Sequence, residues 1–125
     1  MTYRATVPQI STAHYRKMKN SYRHEVAKFL ADRASQGKLT TYGELSAEFG
    51  GVPRGWGDAL GGIAIRCHEA KLPILSVTVV NASTQRPSPD AVLYEDLGLR
   101  TELDIESEQN RALQFDWYQS PLLKR

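Results

Sequence analysis

Residues 1–19 carry no sustained hydrophobic period, so 1–20 reads as a basic N-terminal arm with at most a helical turn near His14–Met18. From Ser21 the pattern changes. Tyr22, Val26, Phe29 and Leu30 recur at i, i+4, i+7 and i+8, the stripe of an amphipathic helix. Asn20 or Ser21 can cap its start and Gly37 can end it. Thr41-Tyr42-Gly43-Glu44 then has the form of a capping box, in which hydroxyl and carboxylate satisfy each other's free amides. The short helix it opens turns Leu45 and Phe49 inward and stops at Gly50-Gly51.

Pro53 suits a first helical turn, where a missing N–H costs nothing. Trp56, Ala59, Leu60, Ile63, Ala64 and Cys67 keep a helical period to about Ala70. Two helices joined by a tight Gly-rich turn are the layout of a helix–turn–helix, here between Thr41 and Lys71. Pro73 breaks the second helix, and the β-branched run Ile74–Val80 predicts a strand. Asn81–Asp90, with Pro87 and Pro89, predicts a loop, and a strand with a polar loop beside a helix–turn–helix suggests a wing. Val92–Leu97 reads as a short helix ended by Gly98, and Asp104 or Ser107 as the cap of a last helix through Trp117. The expected fold is mainly α with a small β element, a winged helix–turn–helix, with 21–125 as one winged-helix-like domain.

Composition adds bounds. At 125 residues, with 41% hydrophobic and 24% charged, the chain fits one ordinary globular domain. No stretch approaches the ~18 apolar residues of a membrane span, and no signal-peptide pattern is seen, so the expectation is a cytoplasmic protein without a membrane partner. One cysteine, Cys67, and three scattered histidines suggest neither a disulfide framework nor a metal centre, and no cofactor motif is present. The acids Glu102, Asp104, Glu106 and Glu108 read as a solvated face. Net charge is only +2, but it is unevenly spread. Through Lys38, eight basic residues face only Glu25 and Asp32, whereas from Arg86 onward five basic residues face eight acids. A polyanion-binding face at one end and a merely solvated basic arm both fit that asymmetry.

The ordered pieces Thr41-Tyr42-Gly43-Glu44-Leu45, Gly50, Pro53-Arg54-Gly55-Trp56-Gly57-Asp58-Ala59-Leu60, Leu72-Pro73 and Val79-Val80-Asn81 resemble a known family. They look like the DNA-binding domain of the O6-alkylguanine-DNA alkyltransferases, and especially their non-catalytic alkyltransferase-like relatives. The resemblance runs from about Ser21 to Asn81. It implies that Tyr42 presses on a DNA phosphate to help rotate a nucleotide outward, and that Arg54 enters the base stack. It further implies that Gly57 and Ala59 lie on a recognition helix in the minor groove, and that Asn81 sits in the strand-to-wing turn. Where those repair enzymes carry Pro-Cys-His-Arg, this chain has Leu75-Ser76-Val77-Thr78, so the alkyl-accepting thiol is missing. Cys67-His68 imitates the dipeptide but falls too early and inside a predicted helix, where Cys67 continues the buried stripe.

The residues themselves support part of this. Each glycine inside a helix costs up to ~1 kcal/mol relative to alanine, and Gly55, Gly57, Gly61 and Gly62 would give a small face able to approach DNA closely. The alternative is a short or frayed Gly-rich helix start. Tyr42 could instead pack on a neighbouring helix, and Arg54 could be an ordinary exposed arginine. Trp56 belongs to the apolar stripe, with base stacking as its other use. Arg16, Lys17, Lys19 and Arg23 would hold phosphates. The leading expectation is a non-catalytic protein that binds double-stranded DNA, modified or distorted by analogy alone. The alternatives are a protein-interaction module, such as an inhibitor or adaptor of a nucleic-acid enzyme, and a DNA base-processing enzyme.

Overall fold

A computed structural model describes residues 12–88 and 94–123, with the side chain of Arg54 outside the description. The chain is mainly helical. Among the described residues, α1 (Thr12–Asn20), α2 (His24–Ser35), α3 (Tyr42–Phe49), α4 (Gly57–Glu69) and α5 (Glu102–Gln114) surround a sheet of two short strands. These strands, β1 (Thr40–Thr41) and β2 (Val79–Val80), run parallel with Thr40 beside Val79 and Thr41 beside Val80.

The segment expected as an arm is helical from Thr12, and its Met18 is fully buried. Helix α1 lies on α4, where Gly61 and Gly62 leave room for it. A Cβ on Gly61 would stand 2.6 Å from Met18 Sδ, and one on Gly62 would stand 2.5 Å from the Met18 carbonyl oxygen. Ser21 does not cap α2. Its hydroxyl donates to the Lys17 carbonyl at 2.8 Å, at the end of α1. Helix α2 begins at His24, and its N-cap residue, Arg23, makes no side-chain capping bond. It buries Val26, Ala27, Leu30, Ala31 and Ala34, and Gly37 turns the chain away at φ 75°.

The strand expected over Ile74–Val80 is confined to Val79–Val80, and Leu75–Thr78 forms a buried 3-10 turn. A longer strand would need a neighbour for every backbone group, and β1 offers two residues. The turn meets its polar needs elsewhere. Ile74 N–H donates to Glu108 Oε2 at 2.7 Å, Thr78 Oγ1 donates to the Leu75 carbonyl at 2.8 Å, and Gln109 Nε2 donates to the Val77 carbonyl at 3.0 Å. After β2 the chain makes a tight turn, in which Gln85 N–H donates to the Asn81 carbonyl and Asn81 N–H to that of Arg86. No β-hairpin wing is found among the described residues.

Val92 and Leu93 lie outside the described residues. Tyr94–Gly98 is a turn closed by hydrogen bonds onto the Tyr94 and Glu95 carbonyls, with Gly98 at φ 95°. The last helix starts earlier than expected. Thr101 is its cap, and Asp104 is the carboxylate partner three residues on. It ends at Gln114, and Trp117 follows in a separate 3-10 turn, fully buried with Nε1 donating to the Ala112 carbonyl at 2.8 Å. No described helix is long and apolar enough to cross a membrane, and no described group of His, Cys, Asp or Glu could hold a metal ion.

Candidate nucleic-acid interface

Helices α3 and α4 and the turn between them carry Tyr42, Arg54, Gly55, Trp56 and Gly57, half of the expected site. The capping box that opens α3 forms as the spacing requires. Glu44 N–H donates to Thr41 Oγ1 at 3.0 Å, and Thr41 N–H donates to Glu44 Oε1 at 2.9 Å. Arg33 from α2 donates to that same carboxylate oxygen at 3.0 Å, tying the start of α3 to the preceding helix. Gly50 and Gly51 adopt φ of 86° and 81°, a region that favours glycine, and Pro53 opens a 3-10 turn through Trp56 that runs into α4.

Tyr42 is the first residue of α3. Its ring is partly buried, and its hydroxyl oxygen accepts the Ser88 N–H at 3.0 Å, tying α3 to the loop that follows β2. Burial raises its pKa above the usual tyrosine value, while the Ser88 bond works the other way. Asn81, partly buried, closes the turn at the start of that loop through its backbone. Tyr42 and Asn81 thus both hold the segment Asn81–Ser88 in place.

Arg54 lies on the 3-10 turn, and its side chain is not described. Gly55 and Gly57 are exposed, and a Cβ on Gly57 would meet nothing within 4 Å. Gly61 and Gly62 do not share that open face. They are buried against α1, so close helix contact explains them in place of a DNA groove. Trp56 is 5% exposed, and its Nε1 donates to Ser46 Oγ at 2.9 Å, so it is a core residue in this conformation and offers no free stacking face. It stands edge-on to Phe49 at 6.1 Å, and the Arg23 guanidinium lies over both rings, 5.5 Å from each centroid.

Arg23 also pairs with Glu25 at 3.0 Å. Lys17 pairs with Asp58 at 3.5 Å and Lys19 with Glu69 at 2.7 Å, both acids belonging to α4. Arg16 is exposed and forms no ion pair among the described residues. The expected phosphate-holding cations are thus mostly turned toward the protein's own acids.

Two features escaped the sequence. Glu108, expected on a solvated face, is buried. It accepts the Ile74 amide and Arg111 Nη1, each at 2.7 Å, and so ties α5 to the 3-10 turn before β2. Gln109 is buried beside it and bonds Val77, Gln85 and Arg86, holding the loop after β2 from below. Their alternating acidic surroundings hid the helical face that carries them. Cys67 is fully buried, and desolvation pushes its thiol up to about 12, so almost none is thiolate near neutral pH. Compared with known proteins, the chain matches no family model, no curated protein and no solved structure.

Proposed function

We propose that this chain is a non-catalytic DNA-binding protein that uses the α3–α4 helix–turn–helix, of the winged class, with Tyr42 and Arg54 at its contact face. The observation carrying this reading is the pair of exposed glycines Gly55 and Gly57 beside Arg54, with open space where a Cβ on Gly57 would stand. Backbone that is not screened by side chains can approach another backbone closely. The resemblance to alkyltransferase-like proteins supports the same face, with Tyr42 against a phosphate and Arg54 in the base stack. The Tyr42 hydroxyl accepts from Ser88, and a phenol that accepts one bond keeps its own proton to donate. Arg54→Ala should weaken binding to a short duplex by about ten-fold or more at fixed salt, and Tyr42→Phe by a smaller factor. Fluorescence anisotropy reads both, and unchanged affinity in the two variants would remove this site.

A specific observation favours a second reading, a protein-interaction module. Val52 is 65% exposed, beside a shallow pocket of about 200 Å³ whose lining includes Arg23, Phe49, Gly55 and Trp56. Exposed aliphatic side chains beside an aromatic pocket suit a protein partner. Nonspecific DNA contacts strengthen as salt falls, so lack of any DNA binding near ~50–100 mM salt would select this reading.

A further inference from the structure

The end of α1, the start of α2, the end of α4 and the C-terminal segment enclose a groove of about 660 Å³ away from the glycine turn. Three of its lining residues can carry positive charge, each from a different helix: Lys19, His24 and Arg66. Arg66 is held in place before any ligand arrives. Its guanidinium lies 4.5 Å from the Tyr22 ring centroid, and its Nη2 donates to the Lys19 carbonyl at 3.1 Å. Yet its Nε is buried without a hydrogen-bond partner, and so is Nδ1 of His24. Both residues line the groove, and a buried polar nitrogen left unpaired is a cost that a hydrogen-bonding ligand can relieve. Helix α2 points the same way, since its positive dipole end starts at His24.

Glu69, the one acid among the described residues that line the groove, is already engaged by Lys19 and by the Tyr15 hydroxyl. The Tyr22 hydroxyl donates to the Leu122 carbonyl at 3.1 Å, which makes Pro121 and Leu122 a fixed apolar wall.

We propose that this groove binds a phosphate group, with Arg66 supplying charge and His24 an N–H donor. The groove is larger than a bare phosphate, and its apolar wall suits the organic part of a phosphate ester. The same chemistry is offered by a free phosphate ester or by the phosphodiester of a nucleic acid. The proposal does not depend on the Tyr42 and Arg54 face, and either can fail alone.

The test is an NMR titration of the amide spectrum with inorganic phosphate and with phenyl phosphate, against sodium chloride of equal ionic strength. Saturable shifts at His24, Arg66 and Ala70 are expected with both phosphates and not with chloride. Arg66→Gln should weaken the apparent affinity about ten-fold, and Arg66→Lys, which keeps charge without the planar fork, by less. Lys38→Gln, an equal charge loss beyond the far end of α2, should leave it unchanged. The spectra show directly whether each variant is folded, and His24→Gln is a second probe if Arg66→Gln is not. Non-saturable shifts, or phosphate binding undiminished in whichever of these two variants folds, would overturn the site. The same folded variant with a short duplex separates the sources. Loss for the small phosphates alone assigns a free ester, and loss for both assigns a nucleic-acid phosphate.

Discussion

Gly62→Ala brings a Cβ within 2.5 Å of the Met18 carbonyl oxygen and 2.9 Å of the Tyr22 nitrogen. Both are backbone atoms, which cannot swing aside, so α1 would have to move off α4. At Gly61 the nearest atom is the Met18 thioether sulfur, 2.6 Å away on a flexible side chain. Gly57 has φ −55° and ψ −48° with open space around it, so alanine fits there. Three glycines of one helix should therefore respond in three ways to alanine. Gly57→Ala should stabilise by about 0.5–1 kcal/mol, Gly61→Ala should destabilise by about 1–2 kcal/mol, and Gly62→Ala by about 3 kcal/mol or more. Equilibrium urea unfolding checks the order, and equal effects at Gly57 and Gly62 would contradict the contact with α1. The sequence marked these glycines as needing a reason but could not supply it. The reason for Gly61 and Gly62 lies in α1, more than 40 positions earlier in the chain, and no local pattern encodes that meeting.

Helix ends were legible where their chemistry is local. Thr41 and Glu44 satisfy each other across three residues, so the start of α3 could be read directly. The cap of α5 works the same way, with Thr101 Oγ1 accepting from Asp104 N–H at 3.0 Å and Asp104 Oδ2 accepting from Thr101 N–H at 3.1 Å. It was missed because the partner is an aspartate and not the usual glutamate or glutamine. Asp104 also accepts the Arg100 amide, and these backbone bonds lower its pKa. The 3-10 turn at Leu75–Thr78 was illegible for the opposite reason. Its β-branched residues favour a strand, and the glutamate that takes the Ile74 amide sits on α5, 34 residues away. Thr41→Ala and Thr101→Ala should each cost about 1 kcal/mol, a fall in Tm of a few degrees. Thr41→Ala should be the larger, because Glu44 also anchors Arg33 across to α2. Thermal unfolding followed by circular dichroism gives both values. A loss at Thr101 but none at Thr41 would mean that the Arg33–Glu44 pair alone sets the start of α3.

Across the whole molecule, most of the described basic residues through Lys38 are paired with an acid in space. Lys17, Lys19, Arg23, Lys28 and Arg33 each face an acid, respectively Asp58, Glu69, Glu25, Asp32 and Glu44. Of the described basic residues through Lys38, Arg16 and Lys38 are left without an ion pair among the described residues. Exposed pairs of this kind are worth at most about 1 kcal/mol each, so phosphates can compete for the cations, but each release costs something. Counterion release makes log K fall with log salt by about 0.9 for every phosphate neutralised. If Arg16 alone neutralises a phosphate, with Arg54 in the base stack, the slope should be about −1, whereas release of Lys17, Lys19 and Arg23 as well would steepen it to about −3.5. The pairing predicts the shallow value. Asp58→Asn removes the partner of Lys17 and should raise affinity at fixed salt while steepening the slope by about one unit. Anisotropy titrations at several salt concentrations measure both quantities. A steep slope in the parent protein, unmoved by Asp58→Asn, would mean that the acids of α4 do not restrain the basic face and that α1 meets DNA with its full charge.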